Sequence, residues 1–415
     1  MNERNEMNNR SDVETSIKPN QVTISRRGTA RRKKKQQSRA AAIALMVLRR
    51  SLLMLLTIVL LVVIGLCLIM NMVFHGPSTA AREMLTMALL EASATKWVPQ
   101  LFIGNDGVDE IRNGDSNIPP DYEIPNTSNK PVIVPGESMD VSNTEFKNYP
   151  DGLYIEQIKG GTYNGYVMVI QDPSKVYMAT STETFSKNIP GLRINKAIAK
   201  EGAIAAINAG AFYDNGSASA VVGSVPEGLV IAGGKVVWNA GAAPENGFVG
   251  FNQDNVLVVD HSMTADRAME LGIRDGCCFG PALIIDGNPN LQAYNNASGV
   301  NPRTAIGQRA DGAVLFVCVE GRQAGSLGGT YRDIIDIMTE YGAVNACNLD
   351  GGSSTVMMYK DQYGRYDDNT EMERFDENGD LNDNGNIVMI NNYSLLQSEP
   401  RRMPNFFMVR PADEE

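Results

Sequence analysis

From Ser51 to Phe74 the chain runs for 24 residues without a charged side chain, mostly Leu, Ile, Val and Met. Only a helix satisfies all its backbone polar groups within one isolated segment, and this one would be about 36 Å long, enough for the roughly 30 Å hydrocarbon core of a bilayer. The run therefore predicts a single transmembrane helix at 40–75, touching lipid through 51–74. Charge sets its direction. Residues 1–50 hold 13 Lys and Arg against 4 Asp and Glu, and the remainder holds 24 against 44. Basic flanks stay in the cytoplasm, so the amino terminus is expected inside and the acidic carboxyl-terminal body outside, in a single-pass cell-membrane protein. Ser78-Thr-Ala80 resembles a signal-peptide cleavage site, but the apolar core is too long for one and favours an uncleaved anchor. The basic run Arg31-Arg-Lys-Lys-Lys35 is read as part of this topology, with no nucleic-acid partner expected.

The remaining boundaries follow from composition. Residues 1–39 are polar and basic and predict a disordered cytoplasmic tail. Residues 76–150 predict a juxtamembrane helix over 77–96 and then a linker rich in Asn, Asp, Gly, Ser and Pro, with one strand at Pro131 to Val134. Residues 151–415 predict one folded domain of short apolar runs.

Within that domain, Ala313-Val-Leu-Phe-Val-Cys-Val319 has the length and continuity of a strand buried on both faces. It ends in Glu320-Gly-Arg322 and a glycine-rich loop. Thr330 and Asp333 then form the start of a helix whose apolar stripe is Ile334, Ile335, Ile337, Met338 and Tyr341, and Gly342 stops it. A second apolar run ends at Asp350-Gly-Gly-Ser-Ser354. Strand, helix and strand make a crossover unit with parallel strands in one sheet, so Glu320, Arg322 and Asp350 come to one sheet edge. An Asp-Gly hairpin turn reads the Asp350 stretch equally well on its own. Runs at 228–231, 235–238, 247–251 and 256–259 add a β meander. The fold class expected is α/β (α+β mixed), with a mixed β-sheet core containing a βαβ crossover unit and a meander, preceded by the transmembrane helix.

Other chemistry is sparse. The cysteines lack zinc spacing, and Cys318 and Cys347 read as small buried hydrophobes. Asp380, Asn382 and Asn384 offer oxygen donors at calcium-loop spacing, with glycine at the sixth position, but the twelfth is Asn391 rather than a bidentate Glu. A solvated acidic loop is the favoured reading, with bound calcium the alternative; no other metal or cofactor is expected.

Three stretches, Ile207-Asn-Ala-Gly-Ala-Phe212, Pro302-Arg-Thr-Ala-Ile-Gly307 and Asn348-Leu-Asp-Gly-Gly-Ser-Ser354, resemble in order and spacing the phosphodiester glycosidase family. That family includes the lysosomal enzyme that removes N-acetylglucosamine to uncover mannose 6-phosphate, and bacterial proteins associated with exopolysaccharide. Val319-Glu-Gly-Arg322 and Arg402-Met-Pro-Asn405 resemble further family positions, while Ser353 stands where the family usually has a third glycine. The resemblance implies a membrane-anchored hydrolase that cleaves a sugar-1-phosphodiester in cell-envelope or exopolysaccharide glycans. The alternative is a non-catalytic carbohydrate-binding or scaffold protein in exopolysaccharide export. The implied catalytic residues are Asp350, near the anomeric carbon, and Glu320, as acid or base. The implied substrate-binding residues are Arg303 as a phosphate fork, Asn208, Gly210, Thr304, Arg322, Gly351, Gly352, Ser353 and Ser354. Glu227 ranks below these carboxylates.

Overall fold

The computed structural model describes residues 22–91, 95–112, 149–213, 223–240, 247–295, 298–366, 372–393 and 399–411. The chain divides into two units, Met1–Met72 and Val73–Glu415. In the first, one helix begins at Val22, and its stretch from Ala42 to His75 is long and apolar enough to cross a membrane, with a mean hydropathy of 3.3 and no burial. Residues 22–39, expected to be disordered, are helical. Arg, Lys, Gln and Ala are all good helix formers, so the apolar helix can propagate back through them. Residues 1–21 lie outside the described part.

In the second unit the juxtamembrane helix spans Thr79–Glu91. The predicted linker holds a further helix, Val98–Arg112, in which Gly104 takes a left-handed φ of 69° that breaks the regular turn. The strand expected at 131–134 lies outside the described residues.

A seven-stranded sheet runs in the order Leu153–Lys159, Asn164–Ile170, Val314–Val319, Arg303–Arg309, Ala343–Leu349, Ala282–Ile285 and Asn288–Pro289. The two crossover strands, Val314–Val319 and Ala343–Leu349, are parallel to each other because each pairs antiparallel with Arg303–Arg309 between them. Their connecting helix, Tyr331–Glu340, starts in a complete Thr330–Asp333 capping box.

A six-stranded sheet contains Ala205–Asn208, flanked by Met357–Lys360 and Asn405–Val409. In the five-stranded sheet the meander appears as two hairpins, Leu229–Ala232 with Lys235–Asn239 and Phe248–Asn252 with Leu257–Asp260. The later strand Ile273–Cys278 is inserted between them.

Alternation along each strand sorts side chains into layers. Phe316, Cys318, Cys347 and Leu349 join Ile207, Phe407, Val249 and Phe251 in a core shared by all three sheets. On the opposite face of the seven-stranded sheet, Ala305, Val317 and Val319 pack with Ile334, Ile335, Ile337 and Met338 of the crossover helix.

Candidate active site

Register brings the sequence motifs together. Arg303 lies opposite Val319, and Thr304 lies opposite Leu349. The amino end of the central strand is thus flush with the carboxyl ends of its two neighbours, and Glu320 and Asp350 emerge on either side of Pro302. With one strand between them, equivalent Cα positions are about 10 Å apart.

Asp350 is half-buried and anchored by both backbone groups. Its N–H donates to the Ala209 carbonyl at 3.0 Å, and its carbonyl accepts from Asn208 Nδ2 at 2.5 Å. Asn208 is fully buried, and its Oδ1 accepts from Thr304 Oγ1 at 2.8 Å and from the Val356 N–H at 3.1 Å. One amide therefore ties the Asp350 turn to strands of two sheets. Leaving those groups unpaired would cost about 1–3 kcal/mol each.

Glycine is required next to this bolt. The Gly210 N–H donates to Asn405 Oδ1 at 2.7 Å, and a Cβ there would lie 2.9 Å from Cys277 Cβ. A Cβ on Gly351 would lie 2.8 Å from the Pro302 carbonyl, which also accepts from the Gly352 N–H at 2.8 Å. Gly352 has a φ of 61°, and a Cβ there would lie 3.3 Å from Nη1 and Nη2 of Arg322. Ser353 is exposed; its carbonyl accepts from the Tyr393 hydroxyl at 2.6 Å and its Oγ from Arg401 Nη1 at 3.0 Å. Ser354 is fully buried, with no hydrogen-bond partner for its hydroxyl among the described residues.

Glu320 is 2% exposed and continues the inner face of its strand after Phe316 and Cys318. Its Oε1 accepts from the Asn392 N–H at 2.7 Å. Burial pushes its carboxyl above the usual range, and the hydrogen bond from Asn392 opposes this. Asn392 also lines a cavity of about 440 Å³ together with Gln157, Tyr166 and Tyr366. The Tyr166 hydroxyl is pushed up to about 12, by burial and then by the charge of Glu320.

Arg303 takes a place the sequence did not indicate. At 4% exposure its guanidinium donates to the carbonyls of Gly299 at 2.7 Å and Gly329 at 3.2 Å, and it lies 4.2 Å from the Tyr331 ring centroid. Strand alternation explains this: Arg303 shares the helix-facing side with Ala305 and Val319, whereas Thr304 shares the inner side with Ile306. Arg322 is exposed, with a left-handed φ of 59°, and donates to Asn301 Oδ1 at 3.0 Å.

The sequence reading missed Asn391, Asn392, Tyr393 and Arg401. Asn391 Oδ1 accepts from the Met357 N–H at 2.7 Å, while Tyr393 accepts from the Arg401 N–H at 2.9 Å and donates to Ser353. Arg402, in the stretch Arg402-Met-Pro-Asn405, donates to the Gly191 carbonyl at 3.1 Å. An arginine pair one residue apart was the available signal, and spacing alone could not choose between its members. Away from the site, Lys196 Nζ lies 2.5 Å from Asp380 Oδ1 and 3.0 Å from the Asn378 carbonyl, while Asn382 Oδ1 accepts from the Asn384 N–H. An ammonium group thus occupies one side of the loop considered for calcium.

The sequence profile of the phosphodiester glycosidase family matches residues 201–410, just over half of the chain, including Asn208, Arg303, Glu320, Asp350 and Arg401. The SPbeta prophage-derived uncharacterized protein YomE of Bacillus subtilis (strain 168) is 30% identical over 167 residues, 39% of this chain. The chain spans 25% of that relative's length. Among solved structures, the zebrafish N-acetylglucosamine-1-phosphodiester alpha-N-acetylglucosaminidase catalytic domain, auto-inhibited by its pro-peptide, aligns with a TM-score of 0.46 at 19% identity. That alignment covers 65% of this chain and 86% of that one. A hypothetical protein from Synechocystis aligns with a TM-score of 0.40 at 17% identity, over 63% of each chain.

Proposed function

We propose, from the premise that this chain belongs to the phosphodiester glycosidase family, that it hydrolyses the C–O bond between a sugar's anomeric carbon and a phosphodiester in cell-envelope or exopolysaccharide glycans. The observation that carries the reading is the anchoring of Asp350 through both backbone groups, with Glu320 at the end of the next strand but one. A phosphate monoester is a fair leaving group, so the oxocarbenium-like transition state needs a carboxylate near the anomeric carbon more than a strong acid at the departing oxygen. Asp350 fills the first role. Glu320, which burial biases toward its protonated form, serves as the proton donor or acceptor. The strand spacing leaves room for substrate and an attacking water. That water gives its oxygen and one proton to the sugar as the new anomeric hydroxyl and its other proton to solvent or the leaving group, and the phosphate departs with the original bridging oxygen. The helix at 42–75 supplies the anchor.

Hydrolysis of a glycosyl 1-phosphodiester in ¹⁸O-labelled water by the detergent-purified chain tests this. The label is expected in the free sugar and not in the phosphate monoester. Folded Asp350→Asn is expected to lose several orders of magnitude of turnover without a matching fall in Tm. Label in the phosphate would mean attack at phosphorus, and near-normal turnover by Asp350→Asn would remove that residue from the chemistry.

A further inference from the structure

We propose that the substrate's phosphate is held between Arg322 and Arg401 over the Gly351–Ser353 turn, and that Arg303 is a positioning residue behind it; this rests on the phosphodiester glycosidase reading. The guanidinium groups of exposed Arg322 and half-buried Arg401 reach neighbouring residues of one turn. Arg322 brings Nη1 and Nη2 within 3.3 Å of the position a Cβ would take on Gly352, and Arg401 donates from Nη1 to Ser353 Oγ at 3.0 Å. Two of the sequence motifs meet at Arg401, because its guanidinium carbon also lies 4.8 Å from the ring centroid of Phe212. Such stacking fixes the plane of the fork and leaves its edge to donate. The backbone under it is fastened as well: the Tyr393 hydroxyl accepts from the Arg401 N–H and donates to the Ser353 carbonyl.

Access decides between the arginines. Arg322 and Ser353 are exposed and Arg401 is half-buried, whereas Arg303 is 4% exposed and directs its guanidinium at two backbone carbonyls and an aromatic ring. A solvated anion reaches the first pair without dismantling the fold. Electrostatics asks for such a pair, since residues 51–415 hold 24 Lys and Arg against 44 Asp and Glu and would repel a phosphodiester. The turn also orders the chemistry, with Asp350 at its start for the anomeric carbon and the two forks further on for the phosphate. Gly352 keeps the space between them, because any side chain there would point into Arg322.

Inorganic phosphate titrated into the detergent-purified full-length chain by calorimetry, beside steady-state kinetics on a glycosyl 1-phosphodiester, tests the cradle. Arg322→Gln and Arg401→Gln are each expected to weaken phosphate binding roughly tenfold or more. They should raise KM for the phosphodiester far more than they lower kcat, with Arg401→Lys giving partial rescue. Arg303→Lys is expected to lower Tm while the folded fraction binds phosphate normally. Normal phosphate affinity in folded Arg322→Gln and Arg401→Gln would overturn the cradle, as would loss of phosphate binding in Arg303→Lys at unchanged Tm. Phosphate bound through the two arginines, with no turnover of any glycosyl phosphodiester by the wild type, would keep the cradle and reject the hydrolase reading.

Discussion

Glu320 is a carboxyl group whose burial outweighs the hydrogen bonds it accepts from the backbone and side chain of Asn392, so folding favours its protonated form. Below the ordinary value of 4.5 the group is protonated in both folded and unfolded chains. As pH rises above 4.5 the unfolded chain releases the proton first, and the folded protein loses stability until its own raised pKa is passed. Glu320→Gln keeps an acceptor for Asn392 and cannot ionise. The Tm of this variant minus that of the wild type should therefore grow as pH rises above about 4.5 and level off above the folded pKa; Asp275, also raised by burial, cancels in the difference. A difference that stays flat with pH would mean that Glu320 is not held toward its acid form. At this scale the sequence was informative where a candidate residue follows a buried strand, as Glu320 and Asp350 do. It was silent where tertiary contact alone defines the role, since which face Arg303 takes depends on its pairing with Val319, 16 residues on, and the Tyr393 hydroxyl reaches Ser353 across 40 residues of chain.

Elements were legible in proportion to their periodicity and caps. The crossover helix had both, and its capping box and apolar stripe lie where the residues indicate. The helix Val98–Arg112 had neither, because Gly104, Asn105, Asp106 and Gly107 interrupt any stripe and give the segment the composition of a linker. The insertion of Ile273–Cys278 between two hairpins was invisible because neither hairpin's own residues encode what pairs with its free edge. The juxtamembrane helix was legible as a helix but not as a packed one. A Cβ on Gly299 would lie 2.2 Å from the Ala88 nitrogen and 2.3 Å from its Cα, and the Gly299 carbonyl accepts from Arg303. The helix Thr79–Glu91 thus rests against the loop that holds Arg303, and Thr86 is fully buried in that contact region. Gly299→Ala must displace backbone rather than a flexible side-chain end, which predicts a loss of about 1–3 kcal/mol. Thermal denaturation of the variant measures it, and an unchanged Tm would mean that the helix does not pack there in solution.

For the whole molecule, the decisive asymmetry is 13 Lys and Arg against 4 Asp and Glu before residue 51 and the reverse excess after it. Lys and Arg within about 15–20 residues of a span are retained on the cytoplasmic side, whereas acidic domains cross with little hindrance. Arg31 to Lys35, Arg39, Arg49 and Arg50 all precede the uncharged run, so the amino terminus is expected inside and the site outside, where envelope glycans are found. Protease added to intact cells or spheroplasts should remove a tag fused after Glu415 and spare one fused before Met1, and permeabilisation should expose both. Both tags should also remain on one polypeptide before digestion, as an uncleaved anchor requires; loss of the amino-terminal tag from the mature protein would mean that the segment acts as a signal peptide. Replacing Arg31 to Lys35, Arg49 and Arg50 by Gln should let a fraction of chains insert in the opposite sense, because the positive flank is what holds the amino terminus on the cytoplasmic side. If the wild-type carboxyl-terminal tag is instead protected until permeabilisation, the site faces the cytoplasm. The proposed phosphodiester substrate would then be sought among intracellular sugar phosphates, with the chemistry proposed for Asp350 and Glu320 unaltered.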